Sequence, residues 1–370
     1  MIVFIIIISL ILLFIAFLQT PRFGKLPAAE RMAIINQSPN FRDGKFQNLN
    51  HTPDLTEGES YYSVMKKFFF ERNKRRMPPA SLPSVKTDLF SLDPAKNTLV
   101  WFGHSSYFLQ VDGKKILVDP VFSGNASPVN FTTKSFNGSD VYSADDMPDI
   151  DYLFISHDHW DHLDYRTIIK LKTKVGKIIC GLGVGAHFEK WGFNQHIIFE
   201  KDWNETILLD DGFKVETLPS RHFSGRGLKR NTSLWLSFAL TTPTMKIYLG
   251  GDSGYDTHFK KIGQEHGPFN LAILECGQYD QSWKYIHMQP TEVVQAAIDL
   301  KAEILMPVHW AKFGLANHAW DDPIKEVTAA ARQNNLPLIT PKIGEPVDVN
   351  LNKAYAAWWE DVIQHNNKIK

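Results

Sequence analysis

The run Ser156-His157-Asp158-His159-Trp160-Asp161-His162 constrains the fold more than any other part of this chain. It places three imidazoles and two carboxylates directly after the apolar stretch Tyr152–Ile155, which has the composition of a buried strand. Zinc binds imidazole nitrogen and carboxylate oxygen, and a catalytic zinc site leaves one coordination position for water. The first two histidines can converge on one ion, and the last aspartate and histidine can point to a second ion nearby. The run therefore predicts a two-metal site at the end of a strand.

The sequence around this run predicts a layered α/β domain. Short apolar runs separated by turns begin at Thr98, and Asp112-Gly113 has the composition of a hairpin turn. Farther along, strands alternate with helical stretches, a pattern typical of sheet packed on sheet with helices outside. The predicted helices are Tyr165–Lys172, Val184–Trp191, Thr257–Gln264, Thr291–Leu300 and Pro323–Gln333.

Residues 157–162 match the complete His-x-His-x-Asp-His signature of the metallo-β-lactamase superfamily, which the chain resembles. The resemblance implies an α/β fold, specifically a four-layer αββα sandwich, and two zinc ions as cofactors. In that family a third histidine, a bridging aspartate and a last histidine each follow a later strand, which His222, Asp252 and His309 fit. The implied metal ligands are His157, His159, Asp161, His162, His222, Asp252 and His309.

Within that superfamily the chain is most similar to the N-acylphosphatidylethanolamine-hydrolysing phospholipases D and their bacterial relatives. The likeness implies a zinc-dependent phosphodiesterase that converts N-acylphosphatidylethanolamine into N-acylethanolamine and phosphatidic acid by a metal-bridging hydroxide. It implies Asp161, Asp252 and His287 as catalytic residues. The chain departs from the animal enzyme at residues 223–227 and 275–279, which flank the predicted site and bear on lipid specificity. The motifs that carry the likeness are Trp101-Phe102-Gly103-His104-Ser105-Ser106, Val118-Asp119-Pro120-Val121-Phe122, His162-Leu163-Asp164, Gly250-Gly251-Asp252-Ser253-Gly254-Tyr255, Gly267-Pro268-Phe269, Tyr285-Ile286-His287, His309-Trp310 and Phe313-Gly314-Leu315-Ala316-Asn317.

Other functions stay open from the sequence. One is a membrane-tethered metallo-hydrolase of a soluble substrate, such as a lactone, in the manner of a sugar-phosphate lactonase. Another is a non-catalytic scaffold, which the intact ligand set argues against. His104 is either a support for the metal site or a structural residue. The basic residues Arg221, Arg226, Lys229 and Arg230 near His222 either receive phosphate or are solvated.

The N-terminal stretch Met1–Leu18 carries no charged side chain and is almost wholly apolar. A membrane-spanning helix needs about 20 apolar residues, so residues 1–20 are predicted to be a transmembrane anchor, with an uncleaved signal as the alternative. The basic residues Arg22, Lys25 and Arg31 follow this stretch. Because basic loop charge tends to stay on the cytoplasmic side, we expect a single-pass membrane protein with a cytoplasmic catalytic domain.

The remaining sequence divides into three predicted parts. An N-terminal extension that faces the membrane covers residues 21–96, the hydrolase domain covers residues 97–350, and a C-terminal helix lies in residues 351–370. Within the extension, Tyr61–Arg76 combines aromatic and basic residues, which suits a helix at a lipid interface. A helix that packs its phenylalanines on the main domain is an equal alternative.

Charge and cysteine content limit the partners. The chain has 40 basic and 40 acidic residues and a formal net charge of zero, so no global field favours nucleic acid. Cys180 and Cys276 both lie in apolar stretches, which argues against a disulfide framework. The expected partners are a phospholipid substrate and a membrane, and a homodimer is left open.

Overall fold

The computed structural model describes residues 1–349, 353 and 355–367, which form two large β-sheets with helices on their outer faces and one small two-stranded sheet made of Phe41–Arg42 and Lys45–Phe46. The helices are α1 (Ile2–Leu18), α2 (Glu30–Ile35), α3 (Tyr61–Phe70), α4 (Tyr165–Leu171), α5 (Gly185–Lys190), α6 (His258–Glu265), α7 (Pro290–Asp299), α8 (Asp322–Gln333) and α9 (Trp358–Asn367). The strands are β1 (Phe41–Arg42), β2 (Lys45–Phe46), β3 (Thr98–Trp101), β4 (Tyr107–Val111), β5 (Lys114–Val118), β6 (Ile150–Ile155), β7 (Val175–Gly181), β8 (Ile198–Lys201), β9 (Glu205–Leu208), β10 (Lys214–Pro219), β11 (Leu236–Thr241), β12 (Lys246–Leu249), β13 (Phe269–Glu275), β14 (Ala302–Val308) and β15 (Pro346–Asp348).

The first large sheet has the strand order β15-β3-β4-β5-β6-β7-β8. Strands β3, β4 and β5 are antiparallel, and β5 through β8 are parallel. The tight turn between β4 and β5 falls at Asp112 and Gly113, whose φ values of 46° and 78° are those of a primed hairpin turn. The hairpin predicted at this dipeptide is therefore confirmed.

The second large sheet has the strand order β14-β13-β12-β11-β10-β9. Strands β9 to β12 pair antiparallel, whereas β12, β13 and β14 run parallel. Parallel neighbours need a crossover connection, and α6 and α7 provide the two crossovers here. The parallel half places the ends of β12 and β14 at the same edge of the sheet.

The two sheets pack face to face, and side-chain alternation along the strands builds the layers. Phe154 on β6 contacts Phe238 on β11, with ring centroids 5.0 Å apart. Its neighbour Leu153 points to the opposite face, into a cluster that contains Ile168 of α4 and Phe188 of α5. Helices α6, α7 and α8 cover the outer face of the second sheet. The predicted four-layer α/β sandwich is thus the observed architecture.

The predicted transmembrane anchor is wrong. Helix α1 has 17 residues, and at about 1.5 Å of rise per residue it is shorter than the roughly 30 Å hydrocarbon core of a bilayer. Among the helices of residues 1–349 and 355–367, none is long and apolar enough to cross a membrane. The predictions of a single-pass membrane protein and of a cytoplasmic catalytic domain, which depended on a span, are corrected accordingly.

The N-terminal extension packs against the sandwich through specific contacts. Arg31 on α2 forms ion pairs with Glu189 at 2.8 Å and with Glu200 at 2.6 Å, and its side chain is largely buried. At the other end of the chain, Trp358 on α9 stacks on Trp310 with ring centroids 5.3 Å apart. The predicted domain limits at residues 97 and 350 stay predictions. Residue 350 of the predicted hydrolase domain and residues 351, 352, 354 and 368–370 of the predicted C-terminal part lie outside the described residues.

Candidate metal centre

The predicted ligands lie where four strands end at one edge of the sandwich. His157 follows β6, His222 follows β10, Asp252 follows β12, and His309 follows β14 directly. Strand β6 belongs to the first sheet and β10, β12 and β14 to the second, so the face-to-face packing of the two sheets brings these loops together. Ligand sites in α/β folds usually lie at the carboxyl ends of strands. Gly251 is required for the close approach, because a Cβ there would lie 2.8 Å from the Cβ of Ser156.

Three imidazoles form the first half of the cluster. The Nε2 atom of His157 lies 2.8 Å from Nδ1 of His159, and Nε2 of His222 lies 3.2 Å from the same atom. On its other side, His222 donates from Nδ1 to the carbonyl oxygen of Ile286 at 3.0 Å. That bond selects the tautomer in which Nε2 carries a lone pair directed into the cluster.

Two carboxylates and two further imidazoles form the second half. The Oδ2 atom of Asp252 lies 3.2 Å from Nε2 of His162 and 3.7 Å from Nε2 of His222, so it stands between the two halves. Asp161 Oδ2 lies 3.5 Å from Nε2 of His162, and His309 Nδ1 lies 3.2 Å from Oδ1 of Asp252. This arrangement can serve two adjacent ions with one shared carboxylate.

Several buried polar atoms at the centre of the cluster have no hydrogen-bond partner. They are Nε2 of His162, Nε2 of His309 and Oδ1 of Asp252. Buried polar atoms in folded proteins nearly always have a hydrogen-bond partner. These buried nitrogen and oxygen atoms are therefore suited to bind a cation. Imidazole nitrogens and carboxylate oxygens are the donors that zinc prefers, and the residues present fit such an ion.

The protonation states of the cluster suit cation binding. Burial, with help from neighbouring imidazoles, holds the pKa of His157 well below its usual value, and burial does the same for His222. Although burial opposes ionisation of Asp161 and Asp252, the adjacent His162 holds the pKa of both carboxyls well below the ordinary range. Although burial opposes it, Asp252 and Asp161 raise the pKa of His162 well above its usual value, so a cation would have to replace the proton on that imidazole. The neutral His157 and His222 and the ionised carboxylates are already in the forms that bind metals.

A second layer of side chains orients the ligands. Asp119 accepts from Nδ1 of His162 at 2.8 Å and from the hydroxyl of Ser156 at 2.6 Å. Ser105 Oγ lies 2.8 Å from Nδ1 of His309. Nε2 of His104 lies 2.9 Å from Oδ2 of Asp161, so the support role is the one that the contacts favour for this residue. Partners of this kind fix ring orientation and ligand basicity.

Glu275 and His287 form a buried pair beside the cluster. Nδ1 of His287 lies 3.3 Å from Oε1 of Glu275, which also accepts from the backbone N–H of Met288 at 2.9 Å. Burial raises the pKa of Glu275 to about 7. Although burial opposes it, Glu275 raises the pKa of His287 above its usual value. The two side chains therefore form a buried hydrogen-bonded pair beside the cluster.

A cavity of about 330 Å³ opens above the cluster. Its base is formed by His159, Asp161, His222, Asp252, His287 and His309. Its walls are mainly apolar, and part of them comes from the N-terminal extension. The polar wall residues are Asp54, Arg230 and Gln278, and the apolar or aromatic ones are Leu55, Tyr61, Val64, Phe223, Trp283, Ile286 and Leu315. The cavity thus joins a polar base to an apolar interior.

The four basic residues near His222 in the sequence have different surroundings in the structure. Arg226 is buried and donates to the carbonyl oxygens of Asp158 and Leu163, so it is neither solvated nor free for phosphate. Arg221 stacks over Tyr285, and Lys229 lines a different cavity. Of these basic residues, Arg230 is the one that lines the metal cavity.

The structure brings together all seven predicted ligands and His287, and their roles as ligands and catalytic groups stay predictions. The sequence interpretation missed three features of the site. Glu275, the last residue of β13, was noted only as part of a stretch that departs from the animal enzyme. Asp119 was noted only within a motif, although its position directly after β5 was a usable signal. The contribution of residues 54–64 to the cavity had no local signal.

A buried cluster of imidazoles and carboxylates at the strand ends of an αββα sandwich defines the class of metal-dependent hydrolases. Comparison with known proteins agrees with this class. The family described as the beta-lactamase superfamily domain matches residues 114–310. The chain therefore belongs to the metallo-β-lactamase superfamily.

Three similar proteins illustrate this membership. An uncharacterized protein of Mycobacterium tuberculosis is 37% identical over 344 residues, which are 92% of each chain. N-acyl-phosphatidylethanolamine-hydrolyzing phospholipase D 1 of Caenorhabditis elegans is 29% identical over 331 residues, 81% of this chain and 89% of the relative. The structure of Igni18, a metallo hydrolase of Ignicoccus hospitalis, superposes on this chain with a TM-score of 0.54 and a sequence identity of 20%. The superposition covers 68% of this chain and 98% of the Igni18 chain. The last likeness concerns the fold alone.

Proposed function

We propose that this protein is a zinc-dependent phosphodiesterase that hydrolyses N-acylphosphatidylethanolamine to N-acylethanolamine and phosphatidic acid. The observation that carries the proposal is the cavity, which places an imidazole–carboxylate base beneath apolar walls. An anionic phosphodiester with acyl chains has the same division between a charged centre and apolar ends. The Caenorhabditis elegans relative that is named for this activity supports the proposal.

The ligand residues divide into two sets by their contacts. His157, His159 and His222 would hold one zinc ion, and Asp161, His162 and His309 would hold the other, with Asp252 between them. When bound, two zinc ions supply Lewis acids for the phosphoryl oxygens and lower the pKa of a bound water towards about 7. Asp161 and Asp252 offset only part of the charge of two divalent ions, so the centre attracts an anion.

The proposed reaction adds water across one phosphodiester bond. The bond between phosphorus and the ethanolamine oxygen breaks, a water oxygen becomes bonded to phosphorus, and a proton reaches the departing oxygen. With Nδ1 of His287 held by Glu275, Nε2 is the nitrogen left to donate to an oxygen of the substrate. The apolar walls hold the acyl chains and limit access of water to the reacting groups.

The surface near the cavity suits contact with lipid. Helix α3 lends Tyr61 and Val64 to the cavity wall, and its Tyr62 and Phe70 are 79% and 84% exposed. Phe68 is half-buried, and the guanidinium that covers its ring belongs to Arg76 of the same N-terminal extension. Exposed aromatic residues next to basic ones favour the headgroup region of a lipid surface.

The test is a product assay with the zinc-loaded protein. N-acylphosphatidylethanolamine in mixed micelles should yield equal amounts of N-acylethanolamine and phosphatidic acid, measured by mass spectrometry. In water enriched in oxygen-18, the label should enter phosphatidic acid, because the bond to phosphorus is the one that breaks. Phosphatidylcholine in the same micelles serves as the comparison substrate, since it lacks the N-acyl chain.

Two variants complete the experiment. His159→Ala removes a predicted ligand and should abolish both products. His196→Ala, at an exposed position remote from the cluster, should retain them. Turnover of a lactone with no phosphatidic acid formed would reject the lipid assignment and favour the soluble-substrate alternative. Full activity of His159→Ala would reject the metal-dependent mechanism.

A further inference from the structure

Arg230 has a distinctive position in the cavity. It is the sole lysine or arginine among the described residues that line the metal cavity. Its guanidinium carbon lies 4.1 Å from the ring centre of Phe223. That ring in turn packs on two predicted ligands, 4.4 Å from the ring of His159 and 4.7 Å from the ring of His222. One aromatic ring therefore separates the cation from the metal cluster.

A carboxylate from the N-terminal extension holds this guanidinium. Asp54 Oδ2 lies 3.1 Å from Nη1 of Arg230, and the same oxygen accepts from the hydroxyl of Tyr61 at 3.0 Å. The side chains of Arg230 and Asp54 are 39% and 56% exposed. An ion pair this exposed to solvent is weak and exchanges readily for another anion. The ion-pair partner of this guanidinium is Asp54 and not a carboxylate of the metal cluster.

We infer that Arg230 is the residue that recognises the anionic group of the substrate, and that Asp54 occupies it until the substrate arrives. The planar guanidinium can donate two parallel hydrogen bonds to phosphate oxygens, which an ammonium group cannot reproduce. Phe223 fixes the plane of the guanidinium and leaves its edge free to donate. Asp54 acts as an internal competitor that a phosphodiester displaces. The inference rests on the proposed function for the identity of the anion.

Binding of a small anion tests this without turnover. The probe is diphenyl phosphate, an anionic diester, and its neutral counterpart is methyl diphenyl phosphate, both titrated calorimetrically into zinc-loaded protein. Arg230→Gln should raise the dissociation constant of the anionic ester about tenfold, the low end for a charge-assisted hydrogen bond, and leave that of the neutral ester unchanged. Arg230→Lys should recover only part of the affinity. Asp54→Asn should lower the dissociation constant about threefold, because the competitor is removed.

The neighbouring residue supplies a matched control. Lys229→Gln removes one positive charge a single position away, but that side chain lines another cavity. It should change neither dissociation constant, since long-range charge effects are screened at physiological salt. Equal effects of Lys229→Gln and Arg230→Gln would overturn the inference, and so would an unchanged diphenyl phosphate affinity in Arg230→Gln. Failure of lipid hydrolysis with normal Arg230-dependent binding would reject the proposed function alone.

Discussion

Asp119 provides the sharpest test of the metal centre, because it touches the cluster without belonging to it. Its Oδ2 accepts from Nδ1 of His162 and from the hydroxyl of Ser156, and its Oδ1 accepts from the backbone N–H of Ser156 at 2.9 Å. In Asp119→Asn one of these acceptors becomes an NH2 group. Either orientation of the amide therefore leaves a buried N–H donor facing another donor.

The size of the effect follows from these contacts. An unpaired buried donor costs about 1–3 kcal/mol, and replacing the outer partner of a metal-binding histidine typically weakens metal binding by about 10- to 100-fold. The two estimates agree, since a tenfold change equals about 1.4 kcal/mol. The zinc ion next to His162 should therefore bind about 10- to 100-fold more weakly, while the ion at the three-histidine half should keep its affinity.

The assay is a competition titration of zinc against a chromophoric chelator at neutral pH. Asp164→Asn is the matched control, because it makes the same chemical change at a buried carboxylate that accepts from the backbone N–H groups of Arg166 and Ser123 and from the Thr167 hydroxyl, and from no histidine of the cluster. Zinc affinities in Asp164→Asn should equal those of the unmodified protein. Two unchanged zinc affinities in a folded Asp119→Asn protein would refute the orienting role of Asp119 and the assignment of His162 as a ligand.

Three further predictions concern stability and geometry. Arg226→Met should lower the free energy of unfolding by about 3–5 kcal/mol in urea titrations. The reason is that the buried guanidinium donates to the backbone carbonyls of Asp158, Leu163 and Arg22. An effect below about 1 kcal/mol would contradict this role. Burial lowers the pKa of His258 to about 4, so the unfolded chain binds its proton first and stability falls as pH drops from about 6.5 towards 4. His258→Gln should reduce that acid-induced loss by about 3 kcal/mol in urea titrations across this range, and an unchanged pH slope would count against it. Gly254→Ala should lower hydrolytic activity by at least about tenfold. The added Cβ would lie 1.9 Å from the carbonyl oxygen of Tyr285, in the loop that carries His287, and would displace that loop. Unchanged kinetics would contradict the prediction and show that the loop can move without loss of activity.

Local sequence determined much of the sandwich. The predicted helix Thr291–Leu300 is observed as α7, Pro290–Asp299, and the first of the apolar runs predicted to begin at Thr98 is observed as β3, Thr98–Trp101. Both depend on periodicity and on breakers such as Pro290, which act over a few residues. The run from His157 to His162 was equally readable, because its ligand spacing is local.

The prediction of a transmembrane anchor at helix α1 shows where interpretation of the local sequence failed. Its apolar composition indicated a membrane span, but the helix ends at Leu18 before it reaches the necessary length. Composition reports the preference of side chains for an apolar environment, whereas a span also requires a continuous helix about 20 residues long. The prediction is overturned because none of the helices of residues 1–349 and 355–367 is both long and apolar enough to cross a membrane.

The sequence by itself determined which side chains form the cluster and which strands precede them, because the residue types and the strand patterns are encoded locally. Tertiary structure alone decided what surrounds that cluster. It paired Glu275 with His287, turned Arg226 inwards and Arg230 towards the cavity, and brought Asp54 over the metal cluster. These contacts join residues far apart in the chain, and packing of the whole sandwich fixes them, so no local pattern could predict them.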